Sequence, residues 1–149
     1  MNITLRMINE DNWRECIALK VRDDQERFVA TNINGLALAY AHKEMEPRGI
    51  YADETMVGFL MYARDPDDGV LYINRLMIDE KFQNNGYGEK ATNILLAELD
   101  NGENEFIDIL HKPDNYSAIK IYRRLGFEET DMTEGDEVVS RLYFKNFKK

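Results

Sequence analysis

The stretch "VLYINRLMIDEKFQNNGYGEKATNILLAELD", residues 70 to 100, restricts the fold of this chain more than any other. Its first ten residues are rich in large and β-branched apolar side chains, which predicts a strand. Tyr87, Ala91, Ile94, Leu95 and Leu99 then recur at i, i+4, i+7, i+8 and beyond, the spacing of a helix with one buried stripe. "NGEN" ends that helix, and "EFIDIL" (105 to 110) reads as a short strand. Strand, helix and strand in this order form a right-handed crossover between parallel neighbours. One such unit sets a helix on one face of a sheet.

The flanking segments extend that sheet. "ITLRMI" (3 to 8) alternates as a strand, and Asn9 or Asp11 offers an N-cap for a helix through Trp13, Ile17 and Leu19. Residues 23 to 44 read as helical, interrupted near Asn32 to Gly35. "RGIYAD" and "TMVGFLMYAR" predict a hairpin around Asp53 and Glu54. "DPDDG" (65 to 69) is a turn, because Pro fixes one dihedral and Gly tolerates another. "PDNYSAIKIYRRLGF" predicts a second crossover helix, capped by Asp114 or Asn115 and stopped by Gly126. "EVVSRLYFKN" (137 to 146) closes with a strand, and the segment after Gly126 has room for one more. The whole is a mixed α/β fold in which an antiparallel meander leads into a parallel crossover, in one domain spanning 1–149.

Charge narrows the partners. The net charge is −9, which argues against nucleic acid, since phosphate binding needs Lys and Arg in excess. The same balance suits a cationic substrate or plain solubility. Cys16 is the only cysteine, so no internal disulfide forms, and it is expected in the core of the first helix. With only His42 and His111 beside it, no Cys/His metal site is expected. No apolar run reaches the length of a membrane span, and "MNITLRMINEDNWRE" predicts no signal peptide. A cytoplasmic location and no membrane partner are expected.

The glycines at 86 and 88 sit where a strand hands over to a helix, so the first N–H groups of the helix lack internal acceptors. Those groups and the helix dipole favour an anion in front of them, and bare backbone lets it approach closely. A pyrophosphate is the natural occupant. No Gly-Lys-Ser/Thr follows, which excludes a P-loop. Gly86, Gly88 and Ala91 match the dinucleotide fingerprint, but that motif opens a larger doubly wound sheet, and too little chain remains here. An acyl-coenzyme A site is the third kind.

"QNNGYG" resembles the Q-x-x-G-x-G signature of the GNAT superfamily of N-acetyltransferases, and "NYSAIKIYRRLGF" resembles its N-x-x-A-I-x-x-Y-x-x-x-G-F segment. "FVATN", "IYADETMVGFLMY" and "INRLMIDEKFQNNGYG" further resemble the bacterial spermidine/spermine (diamine) acetyltransferases. The resemblance implies the GNAT-like acyl-CoA N-acyltransferase fold, a mixed sheet of six or seven strands with about four helices. It implies transfer of an acetyl group from acetyl-coenzyme A to a primary amine by direct attack, without metal. Backbone groups of Leu76, Met77 and Ile78 would hold the pantetheine arm and polarise the thioester. The N–H groups of Gln83, Asn84, Asn85, Gly86, Tyr87, Gly88 and Glu89 would hold the pyrophosphate, with Lys81 and Lys90 nearby. Asn115 and Ala118 would also meet coenzyme A.

Tyr122 would be the general acid, because a phenol with an ordinary pKa of about 10 keeps its proton at neutral pH and can give it to a thiolate. On spacing alone Tyr122, sharing a face with Ala118, Ile119 and Leu125, also reads as a core residue. Several polyamine acetylators carry an acid where this chain has Asn74, which cannot take a proton. A water chain or another acid must then serve, with Glu26, Glu54, Asp79 and Glu80 candidates by type, and Asp79 and Glu80 read as surface charges beside the loop. Asp23, Asp24, Glu26 and Asn74 are candidates for the acceptor side, where carboxylates would meet the ammonium groups of a polyamine. Phe28, Tyr40 and Tyr51 are candidates for an alkyl channel. A protein, peptide or aminoglycoside acceptor, or a non-catalytic acyl-coenzyme A binding module, are the other readings; a thiolate acid at Tyr122 argues against the last. A homodimer is left open.

Overall fold

The computed structural model describes residues 1–147. β1 (Ile3–Met7) leads through α1 (Trp13–Ala18), a 3₁₀ turn at Asp23–Gln25 and α2 (Asn32–Ala41) to β2 (Glu46–Ala52). β3 (Thr55–Arg64) and β4 (Leu71–Ile78) complete the meander. A 3₁₀ turn at Glu80–Phe82 precedes α3 (Tyr87–Leu99), then β5 (Phe106–His111), α4 (Tyr116–Leu125), β6 (Glu128–Glu134) and β7 (Glu137–Tyr143). The seven strands form one sheet in the order β1-β2-β3-β4-β5-β7-β6. Only β4 and β5 are parallel, as the crossover through α3 requires.

Two apolar clusters cover the two faces. Leu95 and Leu96 of α3 and Tyr122 of α4 pack with Leu60, Ile73 and Ile109 of the sheet. Phe59, Met61 and Met77 pack on the opposite face with Cys16 of α1. Burying one such leucine or isoleucine contributes roughly 1.5–3 kcal/mol, so both layers are needed to hold the sheet between them. Ile94, expected on the buried stripe, is 37% exposed, because α3 turns a narrower face to the sheet around Ala91 and Leu95.

The long helix expected over 23–44 is broken earlier than the sequence suggested. Residues 26–31 are not helical, and α2 begins where the interruption was expected. Thr31 is the reason: its hydroxyl accepts from the N–H of Asn34 at 3.2 Å and starts the helix there. The strand after Gly126 is present as β6 and forms the outer edge.

One irregularity opens the sheet. Arg75 pairs with Met61 and Ile73 with Tyr62, so Asn74 between them has no partner on β3 and forms a bulge. β4 is registered with β5 only at Tyr72↔Asp108 and Ile73↔Ile109. Beyond the bulge the two parallel strands part, and their divergence leaves a gap in the middle of the molecule.

Cys16 is fully buried, and burial pushes its thiol up to about 12. The folded state therefore holds the protonated thiol more tightly than the unfolded chain, whose thiol ionises near 8.5. That contribution is complete below the unfolded value and is lost as pH rises towards the folded one. Iodoacetamide at pH 8 is expected to leave the native protein unlabelled and to label it at once in denaturant. Fast native labelling would show that α1 opens freely from the sheet.

Candidate active site

The gap between β4 and β5 is a cleft with two lobes that share one wall. One lobe, of about 490 Å³, runs along Met77, Ile78, Gly86 and Gly88. The other, of about 370 Å³, is lined by Glu26, Asn74, Arg75, His111 and Glu137 among others. Leu76, Asn115, Ala118 and Tyr122 line both. The shared wall is thus built from the edge of β4, the first two turns of α4 and the loop at Phe28 and Val29.

The loop from β4 to α3 forms the far end of the first lobe. Asn84 and Gly86 both have positive φ, at 67° and 75°. Two left-handed residues so close together fold the chain back and aim the start of α3 at the lobe. Gly86 is the N-cap of α3, and no side chain caps the helix. The N–H groups of its first turn therefore have neither an internal acceptor nor a capping oxygen. A Cβ built on Gly86 would meet nothing within 4 Å, so the space in front of this backbone is open. An anion with several oxygens fits that position by charge and by shape.

Side chains hold the loop from behind. Gln83 Nε2 donates to Ile78 O at 2.9 Å and to Gln25 Oε1 at 2.8 Å, while Arg22 donates to Gln83 Oε1 at 2.6 Å. Asn85 Nδ2 donates to the carbonyls of Phe82 and Gln83. Gln83 and Asn85 thus spend their side chains on the loop itself. Asp79, read from sequence as a surface charge, is instead 4% exposed. It accepts from the N–H groups of Lys20 and Lys81, each at 3.0 Å, and so ties the loop to the chain after α1. Lys81 and Lys90 are exposed and do not line the lobe; the cations that do are Arg22 and Arg124. Arg124 is held by Glu89 at 2.8 Å.

Tyr122 stands at the junction of the lobes. It is 8% exposed and packs edge-on against Phe127, with ring centroids 6.1 Å apart. Its ring lies 5.7 Å from that of His111. Its hydroxyl has no hydrogen-bond partner among the described residues, although a buried tyrosine kept for packing normally finds one. Burial raises its pKa well above the ordinary tyrosine range, and the charge of Glu137 adds to the shift. The phenol is therefore protonated at any ordinary pH, and it faces the cleft.

Residues 5–127 match the acetyltransferase (GNAT) family. The chain belongs to that family. It is an acetyl-coenzyme A-dependent N-acetyltransferase. A spermine/spermidine N(1)-acetyltransferase of Bacillus subtilis (strain 168) is 29% identical over 137 residues, covering 86% of this chain and 89% of the relative. The spermidine N-acetyltransferase of Vibrio cholerae, solved with CoA and spermine, has a TM-score of 0.71 at 15% identity, over 95% of this chain and 94% of that one. The ribosomal-protein-S18-alanine N-acetyltransferase of Escherichia coli has a TM-score of 0.72 at 16% identity, over 96% and 94%. At those identities the two structures speak for the fold alone.

The second lobe of this acetyltransferase carries mixed charge. Of the three acids expected there, only Glu26 lines it. Asp23 and Asp24 are exposed and line neither lobe, Asp24 pairing with Arg22 at 3.2 Å. They sit in a one-turn 3₁₀ segment whose outer side is solvent. Phe28 lines both lobes, but Tyr51 is buried in the sheet and Tyr40 is 79% exposed. Asn74 lines the lobe from the bulge, with its Oδ1 buried and unpartnered. Arg75 donates to Asn74 O at 3.0 Å and Asn34 Oδ1 at 2.8 Å, but its buried Nε has no partner. Burial holds its pKa below the usual guanidinium range. In the sequence His111 is weighed only as a metal ligand, and Glu137 is not singled out. A lone histidine ending one strand and a glutamate opening another carry no local signal; β-pairing brings them together.

Proposed function

We propose that this acetyltransferase acetylates a primary amine of a small polyamine such as spermidine or spermine, by direct attack on acetyl-coenzyme A. Tyr122 protonates the departing thiolate. The observation that carries the reading is the unpartnered hydroxyl of a buried Tyr122 at the junction of the two lobes. The first lobe suits coenzyme A: the uncapped start of α3 and the bare backbone at Gly86 and Gly88 would hold the pyrophosphate. The free edge of β4 at Leu76 and Met77 would receive the pantetheine arm and the thioester carbonyl, with Asn115 and Ala118 opposite. Ile78 is partly spent, since its carbonyl already accepts from Gln83.

The polyamine acceptor is supported by the name of the Bacillus subtilis relative and by the charges of the second lobe. Lys112 is paired with Asp136 and Arg27 with Asp114, both at 2.6 Å. Glu26 and Glu137 then face the lobe against the single guanidinium of Arg75. Paired cations add little, so the lobe meets a ligand with an acidic surplus. A polycation leaving water requires such acids, because each ammonium must be met by a carboxylate.

The test is thiol release from acetyl-coenzyme A with spermine, spermidine, a basic peptide and an aminoglycoside, each at two salt concentrations. Polyamines are expected to give the highest kcat/KM, with KM rising as salt screens the attraction. A peptide or aminoglycoside preferred over both polyamines would overturn the acceptor and leave acetyl transfer standing.

A further inference from the structure

Direct attack requires the acceptor nitrogen to lose a proton, and Asn74 cannot take it. The candidates fall away one by one. Asp79 is buried in the loop and holds two backbone N–H groups. Glu80 pairs with Lys20 at 3.6 Å, and Glu54 pairs with Arg6 at 3.1 Å on the β2–β3 turn. His111 lines the second lobe, but both ring nitrogens are engaged: Nδ1 with Lys112 O at 3.1 Å and Nε2 with Ser140 Oγ at 2.8 Å. Glu26 lines the lobe from an exposed loop.

Glu137 differs from all of these. It is half-buried, lines the same lobe as Tyr122, and its carboxylate makes no hydrogen bond or ion pair among the described residues. It opens β7 and pairs with Glu134 across the β6–β7 turn. β7 is registered on β5 with Val138 opposite His111, and the bidentate Arg141–Asp108 pair, at 2.7 and 2.9 Å, locks that register. The neighbours that bear on its charge are Glu134 from β6, Tyr122 from α4, Arg75 from β4 and Lys112 just after β5. Asp136 beside it is taken by Lys112, and Arg27 across the lobe by Asp114.

We propose that Glu137 is the proton acceptor for the amine, directly or through one water in the second lobe. This rests on the acetyl-transfer reading above. The ammonium N–H bond breaks and its proton passes to a Glu137 oxygen. The freed nitrogen pair forms the C–N bond at the thioester carbonyl. The C–S bond then breaks, and the thiolate takes the Tyr122 proton. The nitrogen sheds its second proton to the Tyr122 phenolate, and Glu137 releases the first to solvent.

The test is Glu137→Gln in the full chain, assayed by thiol release with whichever panel amine the parent uses best. kcat is expected to fall about 10²-fold with KM for acetyl-coenzyme A unchanged, the usual scale of general base catalysis. The variant's kcat/KM should climb about tenfold per pH unit up to the amine pKa, since only amine already neutral reacts, while the parent's profile levels off earlier. Glu137→Asp keeps the carboxylate and should keep the parental profile at a reduced rate, which also carries the test if the Gln variant does not fold. An unchanged rate, a rise in the amine KM alone, or a fall that is equal at every pH would each overturn the assignment. If the parent releases no thiol with any amine, the acetyl-transfer reading itself falls and takes this one with it.

Discussion

Tyr122→Phe is expected to lower kcat by about 10²-fold or more, with the melting temperature nearly unchanged. The two halves of that expectation come from different features of one side chain. The ring packs against Phe127 and beside His111, and phenylalanine keeps both contacts. The hydroxyl makes no hydrogen bond among the described residues, so removing it leaves no donor or acceptor stranded, and the fold loses little. The catalytic half follows from the place of the hydroxyl at the junction of the two lobes. Burial, helped by Glu137, keeps the phenol protonated, so the proton is available wherever the amine is reactive. Loss of that proton leaves the thiolate to be protonated by water. Paired measurements of kcat and Tm decide the matter: turnover retained in a folded Tyr122→Phe protein would make Tyr122 a packing residue and remove the main support for its role.

Gly86→Val is expected to abolish measurable acetyl-coenzyme A binding by calorimetry while the domain stays folded. A valine at this position has two effects that must be separated. Gly86 has φ +75°, where a residue with a Cβ is strained by roughly 1–2 kcal/mol, and a β-branched one by more. The Cβ also enters open space where Gly86 lines the first lobe, at the end that would receive the pyrophosphate. Gly69 provides the control. Its φ is +74°, and a Cβ there likewise meets nothing within 4 Å, but it lies in the turn before β4, away from the cleft. Gly69→Val should therefore lower Tm by a similar few degrees and leave affinity intact. Affinity kept in Gly86→Val would sink the pyrophosphate site; affinity lost equally in both would show that strain alone is responsible.

Much of the first lobe is legible in the sequence, because its chemistry is local. A strand, a glycine turn and a helix start within one stretch of sequence, and unsatisfied N–H groups at a helix start need no distant partner to be predicted. The second lobe was not legible for the opposite reason. Asp23, Asp24 and Glu26 are neighbours in sequence, yet a short 3₁₀ turn sends their side chains in different directions and leaves Glu26 alone at the cleft. Asp79 looked like a surface charge because its partners, the N–H groups of Lys20 and Lys81, lie partly in a distant segment.

The residues alone determined the mixed α/β class, the parallel crossover, the glycine turn at a helix start and the tyrosine on the helix after β5. Each of these follows from periodicity or backbone freedom within a dozen or so residues. Only the tertiary structure decided that Asn74 forms a bulge, that β4 and β5 separate beyond it, and that Tyr122 turns a free hydroxyl into the resulting gap. It also brought Glu137, from the far end of the chain, into the same lobe as Arg75 and Asn74. The physical reason is that a cleft between diverging strands is a property of sheet register. Register depends on pairings between segments tens of residues apart, and no local pattern encodes which side chains will face one another across it.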